Sequence, residues 1–202
     1  MAIAITIKPQ HLCNICNGIK DGEVRKNKAL INAVKKEIAE KGKATIYCVC
    51  SKGGKGLTMS INGYRLAYNN KLGRVFNGKV VCKFECEKVE DIIAKQYQGM
   101  TYFETESMNE LTLLSYLRLS FCELEKYLRT KDNKLGLNNV HRGAFIHISN
   151  LKIFDKPKEL KELKHWTKKW IDCGMDCPPY VDDVLVPLTK APQNFCYVED
   201  TL

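Results

Sequence analysis

Three charged side chains that lie close together in the sequence have the chemistry of a binding site for an anionic or nucleobase ligand. Lys20, Glu23 and Arg25 occur in the segment GIKDGEVRK, which starts at Gly18. Lys20 could contact a phosphate as a point charge, or act as a general base if it is desolvated. A predicted strand over 22–26 has Glu23 and Arg25 on one face, so the carboxylate could accept hydrogen bonds from an exocyclic amine while the guanidinium binds a phosphate or a base edge. The alternative is an ordinary surface ion pair, which contributes little.

A histidine in another predicted strand is a further candidate for ligand binding. His147 stands between Ile146 and Ile148 in the predicted strand 144–153. Two interpretations stay open: a structural histidine that is hydrogen-bonded within the fold, and a polar group that points into a cleft and pairs with a ligand. His11 follows Lys8 and Pro9, and it could also approach that cleft.

The ten cysteines of the chain are interpreted mainly as buried thiols. Cys13 and Cys16 have CxxC spacing and Cys173 and Cys177 form a looser pair, so a zinc site would require the fold to bring the two pairs together. Cys16, however, lies on the apolar face of a predicted short helix. The cysteines at 48, 50, 82 and 86 alternate along predicted strands, as small core residues do. We therefore predict no metal and no cofactor. If a metal does bind, the ligands are Cys173 and Cys177, because they lie in a predicted loop.

The charge of the chain favours an acidic partner. Its 202 residues include 32 Lys and Arg against 23 Asp and Glu, which gives a net charge of +9. Such a surplus attracts RNA, DNA or an anionic membrane surface without distinguishing among them. The hydrophobic fraction of 45% is large enough for a core and excludes a disordered chain. We find no secretory signal and no apolar run near the ~20 residues of a membrane span, so we expect a cytoplasmic protein with reduced cysteines.

Hydrophobic periodicity predicts an α+β fold. Strands are expected at both ends of the chain with helices between them, and regular βαβ alternation is missing, so we predict one closed, mostly antiparallel β-barrel decorated with helices. The strand at 44–50 is apolar on both faces and should be central and covered. The main predicted strands are 3–7, 44–50, 79–87 and 144–153, and the predicted helices are 10–17, 28–41, 108–119, 123–129 and 157–170.

The last of these predicted helices carries both tryptophans of the chain. In a helix over 157–170, Leu160, Leu163 and Trp166 form the inward face. Trp166 and Trp170, at i and i+4, are then interpreted as packing residues. The alternative is a base-stacking surface, because lysines flank Trp170.

The segment from Gly18 to Arg25 resembles the GxKxxExR signature of ASCH domains, with every defined position matched. The order of strand, short helix, signature loop and strand also resembles that family. Three later segments resemble a phage and bacterial ASCH subgroup: IHISNL from Ile146, FDKPKEL from Phe154 and PLTKAPQ from Pro187. The resemblance implies a single PUA-like domain over 1–202, with a helical insertion at 28–41 and a C-terminal helix and loop extension at 155–202.

The resemblance also implies a function in RNA or modified-nucleotide binding. The ligand would lie in a cleft beside the signature loop and contact Lys20, Glu23, Arg25 and His147. One alternative is a hydrolase in which Lys20 and Glu23 are catalytic, either a ribonuclease or an amidohydrolase acting on N4-acetylcytidine. The related amidohydrolases have a threonine where this chain has Glu23, and their later glutamate could correspond to Glu106 or Glu110. Another alternative is a phage protein that binds a host protein, and the oligomeric state stays open.

Overall fold

The protein is described by a computed structural model that covers residues 1–52, 58–61, 64–67, 76–98, 100–128, 140–171 and 180–202. The described residues are mostly strands with four helices, which confirms the predicted α+β class. The helices are α1 (Pro9–Cys16), α2 (Lys28–Lys41), α3 (Glu110–Leu117) and α4 (Phe121–Leu128). The strands are β1 (Ala2–Ile7), β2 (Gly22–Arg25), β3 (Ala44–Cys50), β4 (Thr58–Ile61), β5 (Tyr64–Ala67), β6 (Val80–Cys86), β7 (Val89–Tyr97), β8 (Met100–Glu104), β9 (Val140–His147), β10 (Ser149–Lys158), β11 (Lys164–Ile171), β12 (Tyr180–Pro187) and β13 (Phe195–Val198).

The larger sheet has five strands in the order β10-β6-β3-β1-β13. β1 and β3 are parallel, with Ile3 opposite Ile46, and the other neighbours in this sheet are antiparallel. Apolar residues of α1 and α2 pack on one face of the sheet, and Leu163 and Leu188 pack on the other. β3 is consequently buried along almost its whole length, which confirms the prediction of a central, covered strand at 44–50.

The second sheet has four antiparallel strands in the order β2-β9-β7-β8. Helices α3 and α4 cover one face of this sheet, where Leu113 and Leu124 pack on Val24 and Phe145. Two short connections link the sheets, because β6 leads directly into β7 and β9 leads directly into β10. The described residues therefore form two joined sheets of mostly antiparallel strands. Closure of these sheets into one barrel stays a prediction.

Local capping signals explain where helix α2 begins and ends. The side chain of Asn27 accepts a hydrogen bond from the backbone N–H of Leu30, so it caps the first turn. Gly42 follows the helix with φ of 77°, a left-handed conformation that glycine adopts without steric cost. The helix predicted over 28–41 is confirmed, while its interpretation as an insertion stays a prediction.

The helix predicted over 157–170 is wrong, because this stretch forms strands. β10 extends to Lys158, a 3₁₀ turn spans Leu160–Glu162, and β11 pairs antiparallel with β12. The interval of four residues between Trp166 and Trp170 misled the prediction, since residues at i and i+4 share a face both in a helix and in a strand. Within the described residues, no helix has the length and apolar character that crossing a lipid bilayer requires.

Candidate functional site

The loop that carries Lys20 is held in place by hydrogen bonds to three parts of the fold. Gly18 ends α1 with φ of 64°, and the backbone N–H groups of Ile19 and Lys20 then donate to the carbonyl of Asn14. The backbone of Asp21 bonds the carbonyl of Tyr116 and the N–H of Ile148. These contacts order the loop, so the Lys20 side chain turns inward and only 2% of the residue is exposed.

Lys20, Glu23 and Arg25 form one ion-paired cluster. Lys20 Nζ lies 2.5 Å from Glu23 Oε2, and Arg25 Nη2 lies 3.0 Å from Glu23 Oε1. Arg25 Nη2 also donates to the carbonyl of Thr6 on β1, at 3.0 Å. Glu23 is 5% exposed, so this carboxylate is buried between two cations. The sequence spacing had placed Glu23 and Arg25 on one strand face, and in the structure Lys20 contacts the same carboxylate.

The charge state of Glu23 follows from two opposing effects. Burial by itself would raise the pKa of this carboxyl, because removal from water disfavours the charged form. The charges of Lys20 and Arg25, together with the hydrogen bond from Lys20, outweigh burial and lower the pKa below its usual value. Glu23 is therefore ionised at neutral pH, and it can only accept hydrogen bonds.

The cluster forms part of the wall of a cavity of about 500 Å³. Four cationic side chains line this cavity against two carboxylates, so its charge is positive. The lining residues come from β1 and its end, α1, the loop that carries Lys20, β2 and the region of α4: Thr6, Lys8, Gln10, His11, Lys20, Glu23, Val24, Arg25, Leu119, Glu123, Lys126 and Tyr127.

Helix α4 supplies one wall of the cavity, and the sequence analysis had not assigned it to the site. Glu123, Lys126 and Tyr127 are spaced at i, i+3 and i+4, so they share one face of the helix. Glu123 also accepts hydrogen bonds from the backbone N–H and the hydroxyl of Ser120, which caps the helix. The spacing of these three residues, beside the buried Leu124 and Leu128, was a signal that could have identified the face.

His11 lines the same cavity, as its position after Pro9 had suggested. Burial lowers the pKa of its imidazole, and the positive charge of Lys20 lowers it further. His11 is thus a neutral imidazole at neutral pH, with one nitrogen that donates and one that accepts. It adds a polar group to the cavity without adding charge.

His147 lies elsewhere in the fold. Gly22 pairs with His147 and Glu23 pairs with Ile146, so the side chains of His147 and Glu23 are on opposite faces of the β2–β9 pair. The imidazole Nε2 of His147 lies 2.6 Å from Glu90 Oε1, and the ring packs edge-on against Phe145. The structure therefore brings Lys20, Glu23 and Arg25 together but not His147, and its geometry matches the structural interpretation of this histidine.

The buried carboxylate of Glu90 organises a separate polar network. It accepts hydrogen bonds from Thr105 Oγ1 at 2.7 Å and from the backbone N–H of Ser107 at 2.9 Å. Lys88 Nζ lies 2.9 Å from Glu90 Oε1. Burial would raise the pKa of Glu90, but the hydrogen bonds from Ser107, Thr105 and its other neighbours hold it well below its usual range. This network ties the segment before α3 to β7.

The cysteines that the structure describes belong mainly to the core. Cys13 and Cys16 are buried in α1, and burial raises the pKa of the Cys13 thiol to about 12, so this group stays protonated. Among the described residues, no group of three or more His, Cys, Asp or Glu side chains is arranged to hold a metal ion. Cys173 and Cys177 lie outside the described residues.

The two glutamates considered as counterparts of the amidohydrolase glutamate do not line the cavity. Glu106 is exposed. Glu110 Oε2 accepts a hydrogen bond from the backbone N–H of Phe103, at 2.9 Å. The carboxylate that faces the cavity from outside the signature is that of Glu123.

Comparison of the chain with protein-family models, with curated proteins and with solved structures gave no match.

Proposed function

We propose that this chain is an ASCH-type, PUA-like RNA-binding protein that holds one nucleotide, standard or modified, in the cavity beside the GxKxxExR loop. The observation that carries the proposal is the buried cluster of Lys20, Glu23 and Arg25 in the cavity wall. An ordinary surface ion pair stays in contact with water, whereas burying charges costs free energy unless the charges are paired. Three such charges at a cavity are typical of a site that recognises a polar ligand.

The size of the cavity suits one nucleotide. Sites for small ligands typically enclose roughly 300–1,000 Å³, and this cavity encloses about 500 Å³. That volume accommodates a base with its ribose but excludes a duplex. Proteins that recognise the sequence or a modification of RNA usually bind unpaired bases in loops or at strand ends. We therefore propose a single-stranded or flipped nucleotide as the occupant.

The groups around the cavity suit the parts of a nucleotide. Glu23 is ionised and accepts hydrogen bonds, so it complements an exocyclic amine of a base. Lys8 and Lys126, which line the cavity from two sides, complement a phosphate. Tyr127 offers an aromatic ring for stacking. Burial raises the pKa of its hydroxyl, which therefore stays protonated and can donate a hydrogen bond.

Binding without hydrolysis of an acyl group fits this arrangement best. The ammonium of Lys20 is paired with a carboxylate at 2.5 Å, and an ammonium has no lone pair with which to accept a proton. Glu23 cannot replace a hydroxyl nucleophile without a change of mechanism. The cluster therefore suits the holding of a base or phosphate better than proton abstraction.

Cleavage of the bound RNA is a second candidate, and His11 is the observation that favours it. A neutral imidazole can act as a general base, and cations next to it could stabilise the charge that develops on a phosphate. Incubation of the protein with single-stranded RNA at neutral pH, compared with His11→Ala, tests this candidate. Cleavage that persists in His11→Ala would contradict it.

The binding proposal is tested by calorimetric titration with cytidine, N4-acetylcytidine and the four 5′-mononucleotides. Glu23→Gln keeps the shape of the side chain but removes its charge, and Arg25→Ala removes the guanidinium. We expect each to weaken mononucleotide binding about tenfold or more, because hydrogen bonds to charged groups are the strong ones. The control is Lys36→Ala, which removes an exposed lysine of α2 that does not line the cavity.

Comparison of charge variants at several salt concentrations separates a dedicated site from diffuse charge attraction. Binding of single-stranded RNA should weaken between about 50 mM and about 200 mM salt, because phosphate contacts release counterions. Equal losses in Arg25→Ala and Lys36→Ala would mean that only the overall charge of the chain attracts RNA. Failure of every nucleotide and of RNA to bind at low salt would overturn the proposal.

A further inference from the structure

The hairpin formed by β11 and β12 carries the two tryptophans of the chain on one exposed face. Trp166 is 52% exposed and Trp170 is 73% exposed. Trp170 stands opposite Val181, which is itself exposed, and Trp166 stands opposite Leu185. Because directly opposed residues in antiparallel strands share a face, these side chains form one aromatic and aliphatic surface. We call it the hairpin face.

Exposure of both tryptophans calls for a functional explanation. Tryptophan is highly buried on average and dominates the energetics of cores and interfaces. Exposed apolar surfaces of this kind mark interaction sites. In the part of the chain that the structure describes, neither indole makes an aromatic contact with another ring. The hairpin face is therefore available to a partner.

Lysines alternate with the tryptophans along this face. Lys164 and Lys168 lie at even intervals from Trp166 and Trp170, so they project to the same side of β11. Asp183 lies opposite Lys168 and reduces the local positive charge without cancelling it, because Lys164 stands opposite Pro187. A row that alternates cations with flat aromatic rings matches the alternation of phosphates and bases in a nucleic-acid strand.

We infer that the hairpin face is a second nucleic-acid contact, a stacking platform for single-stranded RNA outside the cavity. The inference rests on the proposed RNA-binding function and extends it from one nucleotide to a strand. Trp166 and Trp170 stack on bases, and Lys168 meets the phosphates between them. A protein partner fits less well, since lysine is depleted from protein–protein interfaces and here it lies between the two tryptophans.

The spacing of the rings indicates how the strand lies on the platform. Four residues of a β-strand span about 13 Å. Adjacent bases in a stacked strand are only about 3.4 Å apart. The two indoles therefore take bases that are not neighbours in a stack, and the strand between them is extended. A mononucleotide can reach only one indole, so the platform should favour oligonucleotides.

Fluorescence excited selectively at tryptophan reports on this face alone, because the chain contains only these two tryptophans. We expect a red-shifted emission from the free protein, and quenching when an oligouridylate of about 12 nucleotides is added. Trp170→Ala and Trp166→Ala should each weaken oligonucleotide binding about 5- to 150-fold. Trp170→Tyr should restore much of the loss, because it keeps an aromatic ring. Tyr97→Ala is the matched control, because Tyr97 is exposed to a similar degree, at 65%, on a different hairpin.

Parallel titration with mononucleotides separates this inference from the proposed function of the cavity. The tryptophan variants should bind mononucleotides like the wild type, whereas Glu23→Gln should bind them poorly. If the cavity binds no nucleotide but the hairpin face binds RNA, the oligonucleotide will quench the tryptophan fluorescence while mononucleotides show no binding. Unchanged oligonucleotide affinity in both Trp→Ala variants would overturn the inference. A concentration-dependent blue shift with dimer formation in sedimentation, in the absence of RNA, would overturn it in favour of a second copy of the chain.

Discussion

Replacement of Lys20 by Met removes one charge from the buried cluster while nearly conserving the volume of the side chain. Glu23 is then left buried with Arg25 as its remaining counter-charge, at 3.0 Å. Breaking a buried ion pair typically costs about 3–5 kcal/mol, because the partner charge stays uncompensated. Arg25 compensates in part and its side chain is 16% exposed, so we expect the lower end of this range, about 3 kcal/mol at pH 7. For a chain of this length that corresponds to a fall in Tm of about 6–12 °C.

The pH dependence of this loss provides a sharper test than its size. In the wild type, the lowered pKa of Glu23 stabilises the folded state. This contribution is fully present above the pKa of an unfolded glutamate, about 4.3, and it is lost as the pH falls through the pKa of folded Glu23. Without Lys20, burial of Glu23 is opposed by fewer charges, so its pKa rises. Protonation of Glu23 in mildly acidic solution then removes the uncompensated charge, so the variant loses less stability there. The stability difference between wild type and variant should therefore be largest near neutral pH and shrink as the pH is lowered.

Urea denaturation across a series of pH values measures this effect, provided that the m-values of wild type and variant agree. Lys36→Met is the matched control, because Lys36 makes an exposed ion pair with Glu40 at 3.7 Å, and such pairs contribute about 0–1 kcal/mol. The double variant Lys20→Met/Glu23→Gln should lose less stability than Lys20→Met, since no buried carboxylate is left with too few partners. A loss below about 1 kcal/mol for Lys20→Met, or one independent of pH, would refute the reasoning.

Two further predictions concern other parts of the structure, and a third concerns the chemistry of the cavity. Gly22→Ala should destabilise the fold by about 1–3 kcal/mol in urea denaturation, because its Cβ would lie 2.0 Å from Phe145 Cζ; an unchanged midpoint would contradict the close packing. Glu90→Gln should cost about 1.5–3 kcal/mol at pH 7, where the buried carboxylate accepts charge-assisted hydrogen bonds. Its effect should diminish below the unfolded pKa of about 4.3, where the wild type loses this contribution, and an equal loss at all pH values would argue against an ionised Glu90. Purified wild-type protein should hydrolyse N4-acetylcytidine poorly, with Glu23→Thr assayed in parallel. Robust wild-type turnover that Lys20→Ala abolishes would establish an enzyme instead.

Much of the local structure could be predicted because its causes lie within a few residues of one another. Helix α2 begins and ends at its predicted bounds, since Asn27 and Gly42 cap it directly. Strand β3 could be recognised because a strand that is apolar on both faces is stable only when both faces are covered by other parts of the fold. The convergence of Lys20, Glu23 and Arg25 was also predictable, because a single loop and strand carry all three.

Sequence patterns failed where one spacing is compatible with two kinds of structure. The interval between Trp166 and Trp170 places both on one face of a helix and equally on one face of a strand. In the predicted helix both tryptophans would be packing residues, whereas in the hairpin both are exposed. Only the pairing of β11 with β12 distinguishes the strand from the helix. Leu163 is buried as predicted, but it lies in the connection to β11 and not on a helix.

By itself, the sequence determined the α+β class, the capped helix α2, the buried strands and the cluster around Glu23, since each depends on neighbours along the chain. Only the tertiary structure decided which distant residues join that cluster. The register between β2 and β9 turns His147 away from Glu23, because a one-residue offset in a strand reverses the side-chain direction. The packing of α4 brings Glu123 and Tyr127 to the cavity across about a hundred residues of sequence. Contacts of that range are set by how sheets and helices pack, and a local pattern can identify a face of a helix but not the residues that this face meets.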